Sequence, residues 1–415
     1  MANLKKTENS FIRGGFGLLV AFGFFSFANF LYHFFTARVL GPADYSIIAS
    51  LFSLIYLIAI GAQSIQTTIT KFVSEFKAKK EYGKINSLFS RSLKKISLYA
   101  IIIFVVFMIL SPITSWFLHV PLTPVLITGI SVIFAILLPI NRGFLQGLQK
   151  FGSLGMNMVY EGLLKILVVV LLVYLGFRVN GAMSAVAISI MAAFVLSFIP
   201  LKPLITKKRS PVDSKRLYKY SGPVIFTMLS ITALYSFDLL LVKHFLSPLQ
   251  AGHYSALSLL GKIIFFGATS IALIMFPKSV ELFSKKKETK GILMKSLAFV
   301  MITGTLTIGI YHLFSEEIIS ILFGASYLPV ANLLSLFGLF MLLLSLIYIL
   351  ALYKLSIEKK KFVVLLGAFN ILEIGLIWVF HNSILQILIM LNILSFTLLL
   401  LLSIFLYKTF KGVKR

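Results

Sequence analysis

The sequence predicts an all-α integral membrane protein, and three observations carry that prediction. Of its 415 residues 59% are hydrophobic and only 13% charged. The apolar residues fall in blocks of about 20, the length that crosses a ~30 Å bilayer core. Lys and Arg, finally, gather at one set of block ends rather than being spread along the chain.

Taken in order, the blocks place twelve spans at 14–36, 45–70, 96–117, 122–146, 155–177, 181–204, 221–244, 254–276, 292–314, 328–353, 362–380 and 384–406. The basic stretch MANLKKTENSFIRGG precedes a block too long for a signal sequence and without a small-residue cleavage site, so it reads as the lead-in to a retained first helix. When the connections are assigned alternately to two sides, 34 of the 39 Lys and Arg fall with the termini, and only Arg38, Arg178 and Lys243 fall opposite. Lys165 and Lys262 lie inside spans. The positive-inside rule then expects a multi-pass protein of the cytoplasmic membrane with both termini in the cytoplasm. The net charge of +26 therefore reports orientation, and no nucleic-acid partner is expected.

Several chemistries are excluded or disfavoured. There is no cysteine, hence no disulfide and no thiol chemistry. The six histidines (His33, His119, His244, His253, His312, His381) fall near the outer face with no two on one helix at ligand spacing, so interfacial roles are expected and no metal site. No GxxxxGK[ST] loop occurs, which excludes ATP hydrolysis by that route, and no cofactor or catalytic residue is expected.

The longest outer connection is the short SEEIISILFGASYLP region, while the largest inner one, KPLITKKRSPVDSKRLYKYSGP at 202–223, divides the spans six and six. Two lobes are expected, 1–206 and 207–415, both starting on the same side and so related as parallel repeats. The repeat is visible in the residues. LGPADYS precedes a helix that exits through KFVSEFKAKK, and FLSPLQAGHYS precedes one that exits through FPKSVELFSKKK.

On ARVLGPADYS after the first span, FDLLLVKHFLSPLQAGHYSA after the seventh and FPK at 276–278, the chain resembles the polysaccharide transporter family, which includes O-antigen-type flippases, within the multidrug/oligosaccharidyl-lipid/polysaccharide (MOP) exporter superfamily. The resemblance implies two six-helix lobes around a central cavity lined by helices 1, 2, 7 and 8, and a flippase working by alternating access. Similarity to multidrug exporters and lipid II flippases is implied with it.

The residues themselves supply polar stripes. Ser26, Asn29, His33 and Thr36 share one face of helix 1, and Gln63, Gln66, Thr67 and Thr70 one face of helix 2. Helix 7 carries Thr227, Ser230 and Asp238; helix 8 carries Ser255, Ser258, Lys262 and Thr269. A single Ser or Thr is expected to bond between helices. The set as a whole, with Gln63, Gln66, Asp238 and Lys262 in it, points to a wetted cavity.

Ionisable groups inside spans are the sharpest signal, since each costs about 2.5–3.5 kcal/mol at a helix centre. Glu161 and Lys165 stand at i,i+4 and are expected to pair. Lys262 has no acid one turn away on its helix, which makes it the first candidate for an anionic substrate group, with Asp238 as the competing partner. Arg38 and Arg142 lie near span ends, where snorkelling accounts for them; they stand next in line for the phosphate, with Lys165, Asn29, Gln63 and Gln66 as further substrate contacts. Glu373, one turn after Asn370, is open between a proton or cation site and a hydrogen-bonded core acid. Asp238, Glu373 and Glu161 are the acids on which H+ or Na+ coupling would rest.

KINSLFSRSLKKI, with Ile85, Leu88, Phe89, Leu93 and Ile96 on one face, reads as an interfacial helix on anionic lipid. Three functions remain open. A flippase for a lipid-linked oligosaccharide explains the doubled architecture and the cavity cation, because such substrates carry a phosphate or diphosphate. A multidrug exporter of the same superfamily would favour a cavity of carboxylates. A membrane glycosyltransferase, polymerase or ligase would need a large outer catalytic loop, which this chain lacks.

Overall fold

The computed structural model describes the backbone of residues 2–205, 210–211, 215–285, 287–357 and 362–413, and side chains within 17–18, 20–204, 210–211, 225–272, 274–280, 282–283, 285, 287–357 and 362–406. Every regular element among them is helical. In chain order these are α1 (Ala2–Ala78), α2 (Tyr82–Leu118), α3 (Leu122–Gly147), α4 (Phe151–Leu172), α5 (Arg178–Leu196), α6 (Lys202–Ile205) and α7 (Lys215–Leu234). They are followed by α8 (Phe237–Phe245), α9 (Pro248–Ser284), α10 (Lys290–Leu313), α11 (Ser315–Leu322), α12 (Leu334–Ser356), α13 (Phe362–Val379) and α14 (Ile384–Val413).

Among the described residues ten helical stretches are long and apolar enough to cross a membrane. Two of them, Val20–Ala78 with 59 residues and Phe151–Leu204 with 54, run to well over twice the ~20 residues that a bilayer core requires. Each is broken at a glycine with positive φ, Gly41 (+79°) and Gly176 (+89°). The twelve spans expected from the sequence count each of these stretches as two.

The turn expected at ARVLGPADYS is reduced to the single break at Gly41. Glycine has no Cβ to clash at that φ, and Pro42, which lacks an N–H and has its φ fixed near the helical value, opens the next helical run. The second copy is built alike: the chain turns extended at Leu246 and Pro248 opens α9. Helices therefore start nearer these prolines than the spans 45–70 and 254–276 suggested. The span expected at 221–244 is present as Ile225–Phe245, with a break at Tyr235–Ser236 between α7 and α8 that puts Asp238 in the first turn of α8.

KINSLFSRSLKKI is not a separate interfacial helix. It is the first part of α2, and its apolar residues Ile85, Leu88 and Phe89 are buried against protein, with the Phe89 ring 5.0 Å from Phe144 and 6.2 Å from Phe198. Ile85, Leu88 and Phe89 are thus taken up by protein, while Leu93 and Ile96 are half-buried.

The chain divides into two compact units, Met1–Thr36 with Leu54–Ile225 and Ala37–Ser53 with Phe226–Arg415. The 206/207 boundary expected from the sequence falls on residues outside those described. In the first unit Gly143 and Gly147 let α3 approach the second half of α1: a Cβ on Gly147 would stand 2.6 Å from Val73 Cβ. In the second unit the segment 37–53 is held by long-range contacts. Tyr327 Oη donates to the Ala37 carbonyl at 2.9 Å, Lys243 Nζ to Ser46 Oγ at 2.9 Å, and a Cβ on Gly252 would meet the Pro42 carbonyl oxygen at 2.0 Å. The two copies of the repeated turn thus pack directly on one another.

Candidate functional site

Each unit holds one cluster of ionisable side chains inside its helices. In the first unit, Asn157, Glu161 and Lys165 follow at i,i+4,i+8 and share one face of α4. Arg142 reaches them from α3, and Phe25 and Asn29, also one turn apart, reach them from α1. Arg142 donates through Nη2 to Glu161 Oε2 at 2.6 Å and through Nε to Asn157 Oδ1 at 3.0 Å. Lys165 Nζ donates to Asn29 Oδ1 at 2.7 Å and stands 3.8 Å from Glu161 Oε1. Asn157 is itself fixed by donating to the Ala193 carbonyl at 2.7 Å. Both cations lie 5.6 Å from the centre of the Phe25 ring. Among the described residues two cations therefore share one carboxylate, which leaves one positive charge uncancelled there.

This corrects one expectation: Arg142 does not snorkel but points inward as the close partner of Glu161. The expected Glu161–Lys165 pair is present at 3.8 Å, the looser of the two, with Asn29 drawing the lysine amine away. Spacing on one helix suggested Glu161 with Lys165, but it carries no information about an arginine on the neighbouring helix.

The second unit's cluster is acid-rich. Asp238 is fully buried; its Oδ1 accepts from the Leu239 N–H and its Oδ2 from Tyr254 Oη, each at 2.7 Å. Asp238 is within electrostatic reach of Lys262 on α9 and of Glu373 on α13. Lys262 is 7% exposed, with its amine 5.4 Å from the centre of the Tyr235 ring. Glu373 is fully buried and, among the described residues, neither carboxylate oxygen has a hydrogen-bond partner; the Oδ1 of Asn370, one turn before it, has none there either. Burying an unpartnered carboxylate is costly.

The remaining expected residues are dispersed. Arg38 is exposed and its guanidinium donates to the Ile321 carbonyl in the second unit. Gln63 is exposed. Gln66 donates to Gln146 Oε1 at 3.3 Å, which also accepts from Thr70. Ser255 and Ser258 are buried, and Ser255 bonds the Ala251 carbonyl of its own helix, so this part of the helix 8 stripe packs rather than lining water. Tyr254, Tyr235 and Asn157 were missed. The tyrosines read as apolar residues on apolar helices, although Tyr254 lies within the repeated AGHYS segment.

An all-helical membrane fold with buried charge clusters in two units defines a class, and comparison with solved structures agrees. The chain is similar to a multidrug resistance MATE family transporter of the MOP superfamily in its inward-facing conformation (14% identity, 93% of this chain and 96% of that one, TM-score 0.75). It is similar also to the lipid II flippase MurJ, inward closed (15%, 94% and 87%, TM-score 0.71), and to a MOP superfamily transporter from Pyrococcus furiosus (15%, 95% and 94%, TM-score 0.59). The fold is that of the MOP superfamily transporters. Residues 11–283 match the family described as Polysaccharide biosynthesis protein, and the chain belongs to that family. An uncharacterised membrane protein of Methanocaldococcus jannaschii is 24% identical over 271 residues, a match that spans 60% of this chain and 63% of that relative's length.

Proposed function

We propose that this protein is a flippase that carries a lipid-linked oligosaccharide or polysaccharide precursor across the cytoplasmic membrane by alternating access. The observation that carries the reading is the uncancelled positive charge of the Arg142–Glu161–Lys165 cluster. A desolvated cation pair attracts the phosphate or diphosphate of such a substrate more strongly than it would in water. A cationic drug would be repelled by it. The family's description and the likeness to the lipid II flippase support the same substrate class. No covalent bond need be made or broken, so the activity is transport and not catalysis.

In this reading Lys165 and Arg142 meet the phosphate, Asn29 orients Lys165, and exposed Gln63 with Gln66 offers amides to sugar hydroxyls. Lys262 and Arg38 rank behind them, since Asp238 acts on the first and a backbone carbonyl occupies the second. Asp238 and Glu373 form the H+ or Na+ coupling site, because a buried carboxylate without partners is relieved by a proton or a cation. Each of the two glycine-broken stretches crosses the membrane twice, giving two lobes of six spans about 1–206 and 207–415 with both termini cytoplasmic.

A second reading, ion-coupled multidrug export, is favoured by the acid-rich cluster of the second unit. Proteoliposomes decide between the two. The reconstituted protein is expected to flip a fluorescent polyprenyl-diphosphate oligosaccharide and to leave a cationic dye gradient unchanged. Dye export without lipid flipping overturns the proposal. For orientation, Ser326→Cys should react with an impermeant maleimide added outside intact cells and Lys79→Cys should not.

A further inference from the structure

α3 carries two long polar side chains one turn apart, Arg142 and Gln146, and at i,i+4 their Cβ atoms stand ~5–6 Å from each other on one face. Arg142 belongs to the cation cluster of the first unit. Gln146 reaches the second half of α1 instead: its Oε1 accepts from Gln66 Nε2 at 3.3 Å and stands 3.2 Å from Thr70 Oγ1. The close approach of the two helices fixes this arrangement. A Cβ on Gly143 would stand 2.9 Å from the Gln66 carbonyl oxygen and one on Gly147 2.9 Å from that of Thr70, so no side chain fits between the backbones there.

A carboxamide offers an oxygen with two lone pairs and a nitrogen with two donors, and the single bond between these two amides leaves an acceptor on one and a donor on the other. Gln66 keeps its Oε1 and Gln146 its Nε2, and among the described residues nothing else bonds either atom. Both residues are half-buried and neither atom is sealed from solvent. Bonding between helices accounts for the contact itself. It uses neither of the two groups that remain open side by side.

Adjacent sugar hydroxyls are the complement of such a pair, since each hydroxyl both donates and accepts. One donates to Gln66 Oε1 while its neighbour accepts from Gln146 Nε2. We propose that the Gln66–Gln146 pair is a sugar subsite that recognises two neighbouring hydroxyls of the first sugar, the one joined to the phosphate through its anomeric oxygen. The inference rests on Arg142 and Lys165 being the phosphate site. Four residues at 1.5 Å each put Gln146 ~6 Å along α3 from Arg142. The sugar bonded directly to the phosphate is the one that falls within that distance.

Calorimetric titration of the full chain in detergent with two probes tests this: a short-chain prenyl diphosphate, and the same diphosphate bearing one hexose. The parent should bind the hexose-bearing probe more tightly. Gln146→Leu should weaken that probe about tenfold, the scale of one or two neutral hydrogen bonds, and leave the sugar-free probe within about twofold. Gln146→Glu keeps an oxygen for Gln66 and Thr70 and replaces only the open donor. Its added charge should weaken both probes, and the preference for the hexose should fall as it does in Gln146→Leu. Lys165→Gln should weaken both probes alike. Equal losses of the two probes in Gln146→Leu would mean that Gln146 only packs the helices and would overturn the subsite, leaving the phosphate site standing; so would an unchanged preference for the hexose in Gln146→Glu. A parent that binds neither probe overturns the phosphate site, and the subsite with it.

Discussion

The two buried clusters occupy comparable settings, inside the helices of one unit each, and differ in sign and in completeness. The first unit sets Arg142 and Lys165 around Glu161, and every charge has a hydrogen-bond partner. The second sets Lys262 and Glu373 within electrostatic reach of Asp238, and Glu373 has no hydrogen-bond partner among the described residues. A chain whose Pro-opened turns still repeat one another thus differs in the chemistry of its two buried clusters. A satisfied, cation-rich cluster is stable by itself yet attracts an anion. The acid-rich one holds a carboxylate with no hydrogen-bond partner among the described residues. Under the proposed function the first cluster would serve substrate recognition and the second ion coupling.

The most damaging way to break the comparison is at Arg142. Arg142→Gln leaves Glu161 with only its looser lysine partner, so a loss of about 3 kcal/mol in stability is expected from breaking a buried pair. Adding Glu161→Gln should restore much of it in a double-mutant cycle read by thermal unfolding of the purified protein. Full additivity of the two losses would mean that the pair is not an energetic unit.

Next in size is the packing of the repeated turns. Gly252→Ala forces a Cβ into the Pro42 carbonyl and should cost about 1–3 kcal/mol, whereas Gly61→Ala, with open space around it, should gain about 0.5–1 kcal/mol through helix propensity. Opposite shifts in melting temperature check the pair. Tyr327→Phe, which removes the hydrogen bond to Ala37, should cost about 1 kcal/mol by the same assay.

The smallest stability effect, and a sharp functional one, belongs to Glu373. Glu373→Gln removes a carboxylate that has no partner, so the fold should be unharmed while transport loses its dependence on a proton or sodium gradient. Transport that keeps its full gradient dependence would remove Glu373 from the coupling site.

Much of the fold was legible because apolar blocks and basic flanks are direct consequences of the bilayer. The superfamily was legible too, through Gly41–Pro42, Ser247–Pro248 and the basic exits that follow them. What escaped was whatever depends on contacts between helices. Arg142 read as a snorkelling residue because nothing in its own helix reveals Glu161. The break at Tyr235–Ser236 is unmarked, since neither residue is a glycine or proline. The amphipathic start of α2 read as a lipid-facing surface because buried protein and lipid impose the same periodicity.

The central claim is that the uncancelled cation of the first unit receives the anionic head of the substrate. Lys165→Gln tests it most directly, because Glu161 keeps Arg142 at 2.6 Å and the fold should survive the change. In proteoliposomes the variant should remain folded and lose most of its flipping of a polyprenyl-diphosphate oligosaccharide, with Lys165→Arg retaining part. Flipping by Lys165→Gln at the parental rate would contradict the account.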